Sequence, residues 1–126
     1  MSKILVVDDM PLMRHVLINM LRSLGYKDVI EATDGLQALS LLRTQHVDLV
    51  ITDLYMPKMN GIDLLNNIRK DQRLSSTPVI MVTCEDQASA IKKIIKAKVS
   101  GFIVKPFNMN VLNSQLSRFF FSDISP

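Results

Sequence analysis

The chain has 126 residues and a mass of 14.2 kDa. That suits one domain of ordinary size, about 100 to 150 residues, so residues 1–126 are expected to form a single unit. Fifteen basic against twelve acidic residues give a net charge of +3 and a pI near 9.2, which is compatible with an acidic partner and does not imply nucleic acid. The one cysteine, Cys84, excludes an internal disulfide and any CxxC metal or redox motif, and fits a reducing, cytoplasmic compartment.

The first apolar run, residues 4–7, is β-branched and continuous, as in a strand buried on both faces. Asp8 and Asp9 stop it too early for a signal-peptide core or a bilayer span. A helical period follows in Met13, Val16, Leu17, Met20, Leu21 and Leu24, with Pro11 suited to its first turn and Gly25 to its end. A short strand is expected at 28–31. The helical spacing then returns at Ala38, Leu39 and Leu42. Leu49, Val50 and Ile51 form a second buried strand, and Ile62, Leu65 and Ile68 mark the next helix. Residues 78–82 repeat the strand signature. Ala88, Ile91 and Ile95 carry a fourth helix, residues 102–104 a last strand, and Leu112, Leu116 and Phe119 a last helix. Strand and helix alternate five times, which argues for an α/β fold with a parallel sheet covered on both faces. Its ligands are expected beyond the carboxyl ends of the strands.

Those ends carry Asp8 and Asp9, then Asp53, then Thr83, then Lys105 and Pro106. A single acidic residue at a strand end marks only where solvent begins. Three converging carboxylates are different, because two unit charges ~4 Å apart repel by about 4 kcal/mol at an effective dielectric of about 20. An all-oxygen cluster suits Mg²⁺, and Lys105 supplies a second cation. A metal, an ammonium and a hydroxyl around one carboxylate are the groups that stabilise a phosphoryl being transferred to it, with Asp53 as nucleophile.

At this point the chain resembles a known family, the receiver domains of two-component response regulators, and within it the single-domain chemotaxis type. Val6-Val7-Asp8-Asp9, Asp34-Gly35, Asp53-Leu54-Tyr55-Met56-Pro57, Asn60-Gly61, Val82-Thr83 and Val104-Lys105-Pro106-Phe107 match its motifs in order and spacing, from Lys3 to about Phe120. The resemblance implies a flavodoxin-like, doubly wound sheet of five strands in the order 2-1-3-4-5 with five helices. It implies that Asp53 accepts a phosphoryl group from a phosphohistidine of a sensor histidine kinase. Asp8, Asp9, Asp53 and the Tyr55 backbone carbonyl would hold Mg²⁺, and Lys105 and Thr83 would bond phosphoryl oxygens. A cis Lys105-Pro106 peptide is expected, with Phe102 as the switch aromatic that packs inward when Thr83 moves. An output protein or peptide would dock on the fourth helix, fifth strand and fifth helix, and a phosphatase is a further candidate partner. Such a receiver catalyses its own phosphoryl transfer and slow hydrolysis and is no turnover enzyme.

Tyr55 and Glu85 flank the phosphoryl site at positions that vary in the family, and Tyr55 departs from the amide of the chemotaxis type. Cys84 reads as a small packing residue, His15 and His46 as surface residues, and Met13, Met20 and Met81 as core filling. Lys98 stands in a turn where a glycine is common, so a positive φ there would strain it. Lys92, Lys93, Lys96 and Lys98 form a basic run that suits an acidic or amphipathic partner. Phe119, Phe120 and Phe121 cannot all face inward from one helix. Four glycines, at 25, 35, 61 and 101, allow neither a P-loop nor a GxGxxG turn. Competing expectations are a module acting with a transcriptional or other output protein, a docking pseudo-receiver, and an aspartate-nucleophile phosphohydrolase. The last would need a second aspartate where Tyr55 stands. Neither direct nucleic-acid binding nor membrane insertion is expected.

Overall fold

The computed structural model describes residues 2–84 and 88–124, with side chains to Phe120. The element order is β1 (Lys3–Val7), α1 (Pro11–Ser23), β2 (Asp28–Ala32), α2 (Gly35–Thr44), β3 (Leu49–Asp53), α3 (Gly61–Lys70), β4 (Val79–Cys84), α4 (Ala88–Lys96), β5 (Gly101–Lys105) and α5 (Met109–Ile124). All neighbouring strands are parallel, in the order β2-β1-β3-β4-β5. The alternation read from the sequence is therefore the fold: a doubly wound, flavodoxin-like sheet with a helix between successive strands.

Because strand side chains alternate, each central strand feeds two cores. Leu5, Val7, Val50, Val79 and Met81 join α2, α3 and α4 on one face. Ile4, Val6, Leu49, Ile51, Ile80, Val82 and Ile103 join α1 and α5 on the other. Strands buried on both faces explain the unbroken apolar runs. Among the described residues three helices begin with side-chain caps, Asp34 accepting from the Gln37 N–H and Asn60 from the Asp63 N–H, each at 2.9 Å, and Asn108 from the Val111 N–H at 3.0 Å. Among the described residues, no helix is long and apolar enough to cross a membrane.

Three helices present a different stripe from the one expected. On α1 the buried residues are Leu17, Ile18 and Leu21, and Val16 is 44% exposed. On α4 they are Ala90 and Ile94, with Ala88 outside and Ile95 57% exposed. On α5 Leu112, Leu116 and Phe120 are buried, and Phe119 only partly. The helix leaves helical geometry at Phe120 (φ −126°, ψ 20°), whose ring lies 5.5 Å from that of Tyr26. Met81 is a core residue as expected, while Met13 and Met20 are only partly buried. Both histidines are exposed. Cys84 is exposed too, which corrects its expected packing role: it is the last residue of β4, where the strand leaves the core.

Candidate functional site

Strand register places the polar residues at one edge. Val7 lies opposite Thr52, and Asp53 opposite Val82, so Asp8 continues β1 at the level of Asp53. Lys105 pairs with Cys84, and Thr83 with Val104. Parity then divides them. Asp8, Asp53 and Lys105 follow Val6, Ile51 and Ile103 on the α1/α5 face, whereas Thr83 and Phe102 follow Met81 on the face covered by α4. Thr83 lies inside β4, not beyond it.

The side chains bear this division out. Carboxylate oxygens of Asp8, Asp9 and Asp53 all lie within 4.8 Å of one another. Lys105 Nζ donates to Asp53 Oδ1 at 3.0 Å and is the one cation ion-paired to this cluster among the described residues. Asp8 is 8% exposed. Burial pushes its carboxyl above the ordinary 3.8, the Met10 N–H and Lys105 pull it back, and Asp53 and Asp9 push it up further. Three carboxylates with one ammonium leave negative charge uncompensated in a partly buried place. Hard oxygen donors at this separation fit Mg²⁺, which binds through one or two carboxylates and keeps water or phosphate oxygens on its open positions.

Thr83 is 2% exposed and does not reach Asp53; its hydroxyl donates to the Cys84 carbonyl at a long 3.5 Å. Phe102 is half-buried and borders a groove with Ile95, Val99, Gln115 and Arg118. The Lys105-Pro106 peptide is cis, and Lys98 has φ 64°. Tyr55 is 57% exposed. Glu85 lies outside the described residues.

The loop between β3 and α3 is held from both ends. Gly61 N–H donates to the Leu54 carbonyl at 2.8 Å, and a Cβ on Gly61 would collide with the Asp53 carbonyl. Gly35 N–H donates to the Met59 carbonyl at 3.1 Å, and a Cβ there would stand 2.6 Å from that oxygen. The Asp34-Gly35 and Asn60-Gly61 pairs thus cap helices while letting α2 approach the loop that leaves Asp53. One residue near the site escaped the sequence reading: Arg14, which reaches the Asp8 carbonyl. Its signal was an arginine in the helical phase of Leu17, Ile18 and Leu21.

Residues 4–117 match the family described as Response regulator receiver domain. Chemotaxis protein CheY-3 of Vibrio cholerae is 47% identical over 118 residues, covering 94% of this chain and 91% of the relative. The solved structure of chemotaxis response regulator CheY4 of Vibrio cholerae superposes with a TM-score of 0.86 at 32% identity, covering 94% of this chain and 98% of that one. The receiver domain of a sensor histidine kinase from Pseudomonas aeruginosa PAO1, solved with a magnesium ion coordinated in its active site cleft, gives a TM-score of 0.87 at 29% identity, covering 95% and 98%. The chain belongs to the response regulator receiver domain family and is similar within it to the chemotaxis regulators of the CheY type.

Proposed function

We propose that the chain is a cytoplasmic receiver, acting as one unit, that is switched by phosphorylation of Asp53 in a chemotaxis-type two-component pathway. The observation that carries this is the meeting of Asp53 with Lys105 and with the Asp8/Asp9 pair at the strand ends. Lys105 holds Oδ1, and Oδ2 has no hydrogen-bond partner among the described residues. In this reading Oδ2 attacks phosphorus. As the O–P bond forms, the N–P bond of a sensor kinase's phosphohistidine breaks and the imidazole keeps the electron pair. Asp8, Asp9, Asp53 and the Tyr55 carbonyl would hold Mg²⁺. Bound there, Mg²⁺ supplies neutralisation for the phosphoryl oxygens. Lys105 can transfer its hydrogen bond to one of those oxygens.

Thr83 is the natural second reporter. Its bond to the Cys84 carbonyl is long, so exchange for a charged phosphoryl oxygen, the stronger kind of acceptor, is favourable. Phe102 shares its sheet face and packs inward as Thr83 moves. Having no hydroxyl, it signals by packing alone. The output surface is then α4, β5 and α5, where Lys92, Lys93, Lys96 and Lys98 are exposed around Ile95 and Phe102. An acidic or amphipathic partner peptide fits it. The protein acts through partners, the kinase, an output protein and a phosphatase, without turnover chemistry, nucleic-acid contact or membrane insertion.

Incubation with acetyl phosphate and Mg²⁺ tests this. One phosphoryl, about 80 Da, should appear by intact-mass spectrometry and map to Asp53. Asp53→Asn or a chelator should abolish it. Equal labelling of Asp53→Asn, with the acyl phosphate on another aspartate, would overturn the assignment.

A further inference from the structure

The turn between β1 and α1 carries Asp8 and Asp9, yet α1 starts without a capping side chain, with Met10 at the N-cap and Pro11 behind it. Arg14 holds this turn instead. It lies on the inward side of α1, in phase with Leu17, Ile18 and Leu21, and its side chain is only 11% exposed. Its Nη1 donates to the Asp8 carbonyl at 2.8 Å and its Nε to Glu31 Oε1 at 2.6 Å. Glu31 stands on β2 opposite Val6, and the Asp8 N–H donates to the Ala32 carbonyl at 3.1 Å. The turn is thus tied to β2 twice, once by backbone and once through the guanidinium. Within it, the Asp8 carboxylate accepts from the Met10 N–H at 2.9 Å, so backbone path and carboxylate direction are set together.

A planar guanidinium fixes two acceptors at one angle, which an ammonium does not. Its charge would repel a divalent ion nearby, and Glu31 neutralises it. We propose that Arg14, held by Glu31, is a positioning residue for the acidic cluster: it sets the affinity for divalent metal and leaves the transfer step at saturating metal unaffected. This rests on the reading that Asp8, Asp9 and Asp53 hold Mg²⁺. Removing such an outer partner of a ligand typically weakens metal binding roughly tenfold or more.

The test compares the native chain with Arg14→Ala, Arg14→Lys and Glu31→Gln. Mn²⁺ is titrated without phosphodonor, free ion being read by electron paramagnetic resonance, and labelling by acetyl phosphate is followed against Mg²⁺ concentration. Circular dichroism and thermal unfolding report the fold. The Mn²⁺ dissociation constant should rise about tenfold in Arg14→Ala and several-fold in Arg14→Lys and Glu31→Gln. Half-saturating Mg²⁺ should rise in parallel, with the saturating labelling rate within about twofold of native. An unchanged or tighter Mn²⁺ constant in folded Arg14→Ala overturns the proposal, as does a lowered saturating rate at unchanged half-saturation. If Arg14→Ala fails to fold, Glu31→Gln, altered at a side chain 46% exposed, decides by the same criteria. A native chain that binds no Mn²⁺ defeats the metal reading itself and this inference with it.

Discussion

Arg69 spends its guanidinium on neutral acceptors. Nε donates to the Lys98 carbonyl at 3.0 Å, Nη1 to the Ser75 and Thr77 carbonyls at 3.2 and 2.7 Å, and Nη2 to Ser100 Oγ at 3.2 Å. Burial lowers its pKa, though an arginine remains protonated. The two loops that follow α3 and α4, at the edge opposite Asp53, are joined by this one side chain. Arg69→Ala should cost about 2 to 3 kcal/mol in urea unfolding, and Arg69→Lys should recover only part. Nothing in the sequence near Arg69 announces this, because its acceptors are three backbone carbonyls and one hydroxyl, up to 31 residues away. Lys98 was legible, since it occupies a turn following a helix, and its φ of 64° is the left-handed value expected. Lys98→Gly should raise stability by about 0.5 to 1 kcal/mol, relieved strain exceeding the added chain entropy. Asp48 gives a pH signature. Burial would raise its carboxyl, but the Lys3 N–H at 2.8 Å and His46 at 2.7 Å outweigh that and lower it below 3.8. A lowered folded value means its stabilisation is full above the unfolded value and disappears as the pH falls through the folded one. Asp48→Asn should therefore be less stable at pH 6, with the difference closing below about pH 3.8.

At the scale of elements, the period is easier to read than the phase. The three central strands follow from apolar runs, because a strand buried on both faces must be apolar throughout, and the helices follow from spacings; the edge strands β2 and β5, only partly buried, read merely as short candidates in the gaps. A helical stripe is at least about 100° wide, so two neighbouring stripes can both satisfy the spacing. On α4, Ala88/Ile91/Ile95 and Ala90/Ile94 are both regular, and only packing against the sheet selects the second. Ile94→Ala should therefore cost about 2 to 5 kcal/mol, whereas Ile95→Ala should change stability by less than about 0.5 kcal/mol. Equal losses in urea unfolding would show that the helix presents both stripes to the core. On α1 the same ambiguity hides Arg14: the stripe through Met13, Val16 and Met20 shares Leu17 and Leu21 with the stripe through Arg14 and Ile18 that packs inward. The candidate site was legible for the opposite reason. Strand ends are fixed by composition, and a parallel sheet brings them to one edge. Which sheet face each residue takes required the register, and this separates Thr83 from Asp53.

The whole molecule keeps its acidic edge apart from what stabilises it. Two apolar clusters, one on each sheet face, contain none of Asp8, Asp9, Asp53 or Lys105. Folding is therefore expected to need no cation, and a bound ion to add stability only by mass action. The gain is RT ln(1 + [Mg²⁺]/Kd), about 2.7 kcal/mol at a hundredfold excess over Kd, or ~10 °C in Tm for a domain of this size. In a chelator the native chain should retain its far-ultraviolet spectrum and unfold in one cooperative transition. Added Mg²⁺ should then raise Tm in proportion to the logarithm of its concentration once past Kd. Asp9→Ala, at an exposed position, should leave the chelated Tm within a few degrees of native, about 1 kcal/mol or less, and flatten the Mg²⁺ response. Unfolding on chelation would place the metal in the fold itself. A full Mg²⁺ response in Asp9→Ala would instead strike Asp9 from the ligand set, because one or two carboxylates suffice for Mg²⁺ and Asp8 and Asp53 still meet at the strand ends.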